Sequence, residues 1–268
     1  MSEERAESWH GHDEAELRAR WGREAVHLFG AVGSTNDVAR RLAEEEDAPG
    51  GTVVLAAEQT EGRGREGRSW LSPPGGVYLS VLFRPDELPN PDLLPLLAGL
   101  GVVRRLDEAF PGLAPELKWP NDVMVGDRKL GGVLCEAVWS EEGPRFVVAG
   151  AGLNVRPLEE EPSGSGAGAT SLDGERAEET SLVEAADAVL GGLEAWLPAV
   201  PGALDTAALE LVDRYDWLKD RRVRVTLPEE EEPLPGVCVG IAPDGKLLFR
   251  PDRGALRRLD RGSVEAEP

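Results

Sequence analysis

Residues 58–70 of the chain read EQTEGRGREGRSW, and they follow an apolar run at 52–58 that predicts a β-strand. Segment 62–68 holds three arginines and three glycines, in a chain whose formal net charge is −21. Glycines let a backbone approach a ligand closely, and guanidinium groups pair with phosphate or carboxylate oxygens. The stretch therefore predicts a loop that binds a charged small molecule; a flexible turn with solvated arginines is the plainer alternative.

Outward from this loop, short apolar runs alternate with helical patterns. The patterns predict strands near 25–30, 52–58, 77–84, 132–139 and 145–155, and helices near 36–46 and 92–109. Ser181 and Glu184 form a capping-box pattern at the start of a helix that Pro198 stops, and another helix is expected at about 203–217. These elements indicate a mixed α and β domain.

The flanks of this domain have different compositions. Residues 1–23 are polar and are expected to form a loosely ordered arm, whereas 24–218 form the large domain. Within it, residues 158–180 are rich in Glu, Gly and Ser and predict a mobile loop. Short β runs separated by turn signals make 219–268 a small β-barrel, with the acidic stretch 228–236 as a solvated loop.

Composition excludes several classes of function. Fifty acidic against 29 basic residues oppose nucleic-acid binding, because such a surface repels a phosphate backbone. No apolar run approaches the roughly 20 residues of a membrane span, and the N-terminus lacks the apolar run of a signal peptide, so a cytoplasmic location is expected. Cys135 and Cys238 lie in apolar runs and are expected to pack as small hydrophobic side chains.

Three further segments carry polar groups that suit a ligand site. Residues 117–122 read LKWPND and are followed by GDRKLGG at 126–132, so a hairpin would bring Asp122 and Lys129 together. Residues 33–37 read GSTND before a predicted helix, where helix caps are the ordinary role of Ser and Thr. Residues 148–154 read VAGAGLN, whose glycines allow either tight packing or a nucleotide against the strand.

Together, in this order and spacing, the four segments closely resemble the biotin protein ligase family, from about Val32 through the C-terminus. The resemblance implies an α+β fold, a mixed β-sheet flanked by helices like the class II aminoacyl-tRNA synthetase core, followed by a C-terminal SH3-like β-barrel. It also implies an enzyme that makes biotinyl-5′-AMP from biotin and ATP. The enzyme would then transfer biotin to a lysine of a biotin carboxyl carrier protein.

The resemblance implies a role for individual residues. Hydrogen bonds to the biotin ureido ring are implied for Ser34, Thr35, Asn36 and Gln59, in a pocket that needs fixed donors and acceptors. The loop that closes over biotin and the adenylate would contribute Arg63, Gly64 and Arg65. Contacts to ATP or the adenylate are implied for Arg65, Arg68, Trp70, Lys129 and Asn154. Catalytic roles would fall to Arg63, Arg65, Lys129 and Asp122, with Lys129 at the biotin carboxylate and α-phosphate and Asp122 orienting the acceptor amine.

The expected cofactors and partners follow from the same resemblance. ATP would carry Mg²⁺, whose protein ligands the sequence leaves unknown, and biotin is the substrate. The acceptor would be the carrier domain of an acyl-CoA carboxylase. Some relatives carry an N-terminal DNA-reading domain, for which the arm before Val26 is too short, so the type without that domain is expected. The family often dimerises, and a homodimer is compatible with this sequence.

Three alternatives remain open at this point. A lipoate or octanoate protein ligase shares the large-domain fold but carries a different glycine-rich motif. A biotin-binding protein without turnover would keep the same motifs. A nucleic-acid-binding regulator is disfavoured by the charge.

Overall fold

The computed structural model of the chain describes residues 4–159 and 168–267. Its strands are, in chain order, β1 (Glu4–Arg5), β2 (Ser8–Trp9), β3 (His12–Asp13), β4 (Val26–Val32), β5 (Val53–Gln59), β6 (Gly76–Phe83), β7 (Pro115–Lys118), β8 (Asp122–Val125), β9 (Arg128–Ser140), β10 (Gly143–Asn154), β11 (Arg222–Thr226), β12 (Leu234–Ile241), β13 (Leu247–Pro251), β14 (Arg257–Leu259) and β15 (Ser263–Ala266). Its helices are α1 (Glu14–Trp21), α2 (Thr35–Glu45), α3 (Leu94–Ala109), α4 (Leu172–Arg176), α5 (Leu182–Glu194) and α6 (Thr206–Tyr215). Short 3₁₀ turns cover Arg65–Gly67, Pro91–Leu93 and Leu197–Ala199.

Eight strands form one mixed sheet, in the order β1-β4-β5-β6-β10-β9-β8-β7. Strands β4 and β5 run parallel, connected through α2, and the other neighbours are antiparallel. Side chains alternate between the faces of a strand, so each face of this sheet presents its own apolar set. The expected mixed sheet flanked by helices is confirmed.

Helices cover both faces of the sheet. On one face, α3 and α5 pack against apolar residues that include Leu28, Leu55 and Leu79. These two helices approach closely because Gly101 faces Gly192: a Cβ added at Gly101 would lie 2.0 Å from the Gly192 carbonyl oxygen. The other face is covered by α2, whose apolar side chains meet a second cluster on β4, β5, β6 and β10. The N-terminus of α2 therefore lies against the middle of the sheet.

The N-terminal segment is more ordered than a loose arm, so that expectation is wrong for residues 8–22. Asp13 and Glu16 form a reciprocal capping box at the start of α1, and Gly22 ends the helix in the left-handed conformation. The side chains of Trp9 and Leu17 are fully buried in the main core. Arg20 pairs with Asp187 of α5, which fastens the helix to the domain.

The predicted loop at 158–180 is only partly a loop. Its residues 160–167 lie outside the described residues. Beyond them, Lys129 pairs with Ala169 in an isolated bridge, and Ser171 caps the short helix α4, whose Leu172 is buried. The segment from 168 is thus held against the sheet beside Lys129.

The C-terminal strands form a five-stranded antiparallel sheet in the order β14-β13-β12-β11-β15. Residues of this sheet belong to the same hydrophobic cluster as the large domain. The Trp119 indole N–H donates to the Gly245 carbonyl at 2.9 Å, which fixes the two sheets together. No closed barrel is found among the described strands, so the expected SH3-like closure stays a prediction.

Two further expectations concern membrane spans and the two cysteines. In the described part of the chain, no helix is both long enough and apolar enough to cross a membrane. Burial raises the pKa of both the Cys135 and Cys238 thiols to about 12, so these side chains stay protonated.

Candidate functional site

A cavity of about 370 Å³ lies where the N-terminus of α2, the arginine-rich segment and the strands β7 to β10 meet. All residues with a predicted site role line it: Ser34, Thr35, Asn36, Gln59, Arg63, Gly64, Arg65, Arg68, Trp70, Asp122, Lys129 and Asn154. These residues come from four separate segments of the chain. The fold therefore brings the four motifs to one place.

The floor of the cavity is a buried polar cluster at the start of α2. Ser34, Thr35 and Asn36 are each only 4% exposed. The Gln59 side-chain oxygen accepts from the Thr35 amide at 2.9 Å and its hydroxyl at 3.1 Å, and the Gln59 NH₂ group donates to Ser72 at 2.9 Å. Ser34 occupies the N-cap position without making a side-chain cap bond. Its hydroxyl is thus not used for the ordinary role of a serine there.

Asn36 has one fixed orientation. Its side-chain oxygen accepts from the Ser80 hydroxyl at 2.7 Å, while its NH₂ group donates to Glu136 at 2.7 Å and to the Leu134 carbonyl at 3.3 Å. Gly150 provides the space for this amide, because a Cβ at that position would lie 2.0 Å from the Asn36 oxygen. One glycine of the VAGAGLN motif is therefore explained by a side chain lying across the strand.

The arginine-rich segment folds into an irregular hairpin over one side of the cavity. Isolated bridges join Gln59 to Ser72 and Arg63 to Ser69, and the Gly64 amide donates to the Arg68 carbonyl. At the tip, Glu66 has a φ of 57°, a left-handed conformation that non-glycine residues adopt infrequently. The segment is an ordered hairpin rather than a solvated turn.

The three arginines of the hairpin have different environments. Arg63 donates to Asp37 at 2.5 Å and to Glu136 at 3.4 Å. Among the described residues, the Arg68 guanidinium hydrogen-bonds to two groups of the hairpin itself, the Arg65 carbonyl and Glu66. Burial lowers the pKa of Arg65, which still remains far above neutrality for a guanidinium.

Opposite the hairpin, β8 and β9 hold an ion pair at the cavity wall. Lys129 Nζ lies 2.6 Å from Asp122 Oδ1, and both side chains are 24% exposed. The same ammonium lies 5.1 Å from the centre of the Trp70 ring, within cation–π range. The expected hairpin is present, since β7 pairs with β8 around Pro120 and β8 pairs with β9.

Two buried polar atoms in the cavity wall have no hydrogen-bond partner among residues 4–159 and 168–267. They are the Trp70 indole nitrogen and the Asn154 side-chain oxygen. Asn154 is 3% exposed, and its NH₂ group already donates to the Thr170 carbonyl at 3.0 Å. Buried polar groups are nearly always paired in folded proteins, so an unpaired donor and an unpaired acceptor beside one cavity indicate a polar ligand.

Several cavity residues were not found by sequence reasoning. Lys118 lines the cavity with its ammonium 5.4 Å from the Trp217 ring, and burial lowers its pKa. It is one of only four lysines in the chain, a signal that could have found it. Ser263, Val264 and Glu265 of the C-terminal sheet also line the cavity. The described residues contain no group of three or more His, Cys, Asp or Glu side chains that could hold a metal ion.

Comparison with known proteins agrees with this geometry. Residues 28–154 match the model of the Biotin/lipoate A/B protein ligase family. A bifunctional ligase/repressor BirA from Bacillus subtilis is 42% identical over 126 residues, which cover 46% of this chain and 38% of that protein. A biotin–[acetyl-CoA-carboxylase] ligase from Mycobacterium tuberculosis is 38% identical over 160 residues, covering 56% of this chain and 58% of that protein.

These alignments span roughly two fifths to three fifths of the curated relatives. The structural match is longer. The biotin protein ligase from Aquifex aeolicus, solved in complex with biotin and ATP, superimposes with a TM-score of 0.74 at 28% identity. That superposition covers 91% of this chain and 99% of the Aquifex chain.

Proposed function

We propose that this chain, which belongs to the biotin/lipoate A/B protein ligase family and within it to the biotin protein ligases, is an ATP-dependent biotin protein ligase. It would join biotin to ATP as biotinyl-5′-AMP and then transfer biotin to a carrier lysine. The observation that carries the proposal is a single cavity that combines a buried amide and hydroxyl cluster, two unpaired polar atoms and a set of cations.

The biotin subsite is proposed at the N-terminus of α2. A ureido ring offers two N–H donors and one carbonyl acceptor, and it needs fixed partners in a dry pocket. Such partners are Ser34, Thr35, Asn36 and Gln59. The first three are buried, and hydrogen bonds with Ser80, Ser72 and Glu136 fix the side chains of Thr35, Gln59 and Asn36, respectively. A ligand there would meet groups that need no rearrangement.

The adenylate subsite is proposed between Trp70 and Asn154. Both supply a buried polar atom without a partner in the described part of the chain, one a donor and one an acceptor. Gly152 makes room for the indole, since a Cβ there would lie 2.4 Å from the Trp70 nitrogen. Adenine and ribose present both donors and acceptors and could pair with these two atoms.

In the first step, a biotin carboxylate oxygen attacks the α-phosphorus of ATP. The bond from that phosphorus to the β-phosphate oxygen breaks, and pyrophosphate leaves. Negative charge on the phosphoryl oxygens would be stabilised by Arg65, Arg68 and Lys129, which are already in place around the cavity. Mg²⁺ commonly binds through substrate phosphates and one or two carboxylates, so we propose that it enters with ATP and assign it no protein ligand.

In the second step, the unprotonated amine of the carrier lysine attacks the biotinyl carbonyl carbon, and AMP leaves as the amide forms. A free lysine has a pKa of about 10.4, so an amine that reacts at neutral pH must first lose a proton. Asp122 is the proposed group that orients or deprotonates it. Its ion pair with Lys129 fixes its carboxylate at the cavity wall.

Finer parts of the proposal rest on the family and on the charge. We propose that 24–218 form the catalytic domain and 219–268 an SH3-like domain that supports ATP or carrier binding, since Ser263 to Glu265 line the cavity. The acceptor would be the carrier domain of an acyl-CoA carboxylase, met in the cytoplasm. A net charge of −21 supports a partner other than nucleic acid.

The proposal is tested by pyrophosphate release from ATP, measured with biotin, with lipoate and without either acid. Release that requires biotin and is lost in Lys129→Ala is expected, whereas Lys219→Ala, which changes an exposed lysine paired with Asp213, should act as wild type. Pyrophosphate release with lipoate and not with biotin would show that the protein is a lipoate ligase. Tight biotin binding without release would leave a binding protein.

A further inference from the structure

Resting on the proposed function, we infer that Arg63, Asp37 and Glu136 form a clasp that holds the arginine-rich hairpin closed over the biotin subsite. Arg63 Nη2 lies 2.5 Å from Asp37 Oδ1 and 3.4 Å from Glu136 Oε2. Asp37 lies in the first turn of α2 and Glu136 lies on β9, so the guanidinium ties the hairpin to two separate elements. Arg63 is then a positioning residue and not a phosphate ligand.

Glu136 connects the clasp to biotin recognition. Its Oε2 atom accepts from the Asn36 NH₂ group at 2.7 Å and also faces Arg63. Asn36 is buried, whereas Glu136 is 29% and Arg63 40% exposed. One carboxylate oxygen therefore joins a buried amide of the ureido subsite to a surface arginine of the hairpin. Closure of the hairpin and the orientation of Asn36 stabilise each other.

The other hairpin arginines contrast with Arg63. In the part of the chain that the structure describes, neither Arg65 nor Arg68 makes a hydrogen bond outside the hairpin. Both line the cavity, and burial lowers the pKa of Arg65, whose guanidinium forms no ion pair within 4 Å among the described residues. The three arginines of the hairpin therefore have different roles. Arg63 fastens the hairpin, and Arg65 and Arg68 stay available to bind phosphate oxygens.

A ligand beneath the closed hairpin leaves when the clasp opens, so the clasp sets the rate of biotin dissociation. Exposed ion pairs contribute little individually, and opening this one should accelerate dissociation by about two- to fivefold. The effect on ATP should be small, because the clasp lies on the α2 side of the hairpin. Asp37→Asn keeps the size of the side chain and removes only its charge, so it is the cleanest variant.

The first experiment measures the dissociation rate of labelled biotin in a chase with excess unlabelled biotin, together with the KM for ATP. We expect Asp37→Asn and Arg63→Ala each to accelerate dissociation by about two- to fivefold. The double variant should be no faster than the faster single variant, and the KM for ATP should stay unchanged. Asp37→Glu should restore slow dissociation. Glu44→Gln breaks a comparable exposed pair with Arg40 on the same helix and is the matched control.

Other outcomes would overturn the clasp. Additive effects of Asp37→Asn and Arg63→Ala would show that the two side chains act separately. An increased KM for ATP in Arg63→Ala, with Asp37→Asn unaffected, would make Arg63 a phosphate ligand. In both cases the proposed ligase activity would stand.

A second experiment needs no ligand and separates the clasp from the proposed function. Trypsin cleaves after the arginines of the hairpin, and Asp37→Asn leaves all three of them in place. We expect Asp37→Asn and Glu136→Gln to accelerate cleavage within 63–68, with Glu44→Gln equal to wild type. Equal cleavage in all four proteins would overturn the clasp even if the protein ligates biotin. Faster cleavage in a protein that binds no biotin would support the clasp and reject the ligase.

Discussion

Replacing Gly150 by Ala should damage biotin binding while leaving ATP binding nearly intact. The added Cβ would lie 2.0 Å from the Asn36 side-chain oxygen and 3.1 Å from Ser80 Oγ, whereas Cβ contacts below 3.0 Å are essentially never seen. The Asn36 amide must therefore move by about 1 Å or more. Because this side chain is buried, the movement breaks its existing contacts.

The expected loss follows from the contacts that Asn36 makes. Its hydrogen bond with Ser80 is neutral, and the one with Glu136 involves a charged acceptor; both are 2.7 Å long. A neutral hydrogen bond contributes roughly 0.5–1 kcal/mol and a charged one roughly 1.5–3 kcal/mol, so displacement should cost about 2–4 kcal/mol. If the subsite must be reformed on binding, the Kd for biotin rises by about 30-fold to 1,000-fold.

A matched substitution on the same strand distinguishes the two subsites. At Gly152 the added Cβ would lie 2.4 Å from the Trp70 nitrogen, so Gly152→Ala should raise the KM for ATP and leave biotin binding nearly unchanged. Gly30→Ala, whose Cβ would meet no atom closer than 3.8 Å, is the control. Calorimetric titration with biotin and kinetics with ATP give both quantities. Unchanged biotin affinity in Gly150→Ala would refute the placement of biotin at Asn36.

Three further predictions concern stability. Burial raises the pKa of Asp216 to about 6, and its Oδ2 atom has no hydrogen-bond partner within the described ranges. The stabilising contribution of the protonated side chain is therefore present at pH 4 and lost as pH rises through about 6. In urea denaturation, Asp216→Asn should gain up to about 3 kcal/mol over wild type between pH 4 and 8, and an equal difference at both pH values would contradict this. Self-repulsion at a net charge of −21 should be screened by salt, so the melting temperature should rise between 0.05 M and 1 M KCl, and equal values would reject the idea. Trp119→Phe removes the indole donor to Gly245, which should cost about 1–2 kcal/mol in free energy of unfolding; no loss would mean that this bond does not fasten the two sheets.

Much of the fold could be predicted because local patterns agree with the tertiary structure. The strands near 25–30 and 77–84 and the helices near 36–46 and 92–109 appear within a few residues of their predicted bounds. The N-terminal helix was missed although Asp13 and Glu16 have the capping-box spacing and Gly22 follows as a C-cap. The signal for α1 was present, and the polar composition of the segment obscured it.

Site residues could be predicted where they are neighbours in the sequence, and not where only the fold brings them together. Segments such as 62–68 and 33–37 carry their chemistry in neighbouring residues, so their polar groups are visible in the sequence. Glu136 lies in the apolar run of β9, 73 residues from Arg63 and 100 from Asn36, and only the sheet order brings the three together. The roles of Gly150 and Gly152 likewise depend on side chains from distant segments.

The most direct test of the proposed ligase activity is the detection of the adenylate intermediate itself. The protein is incubated with biotin and Mg-ATP without any carrier, quenched in acid, and the small molecules are identified by mass spectrometry. We expect biotinyl-5′-AMP in wild type at an amount comparable to the protein, and its loss in Lys129→Ala. Wild-type protein that binds biotin and ATP but yields no adenylate would not be a biotin protein ligase.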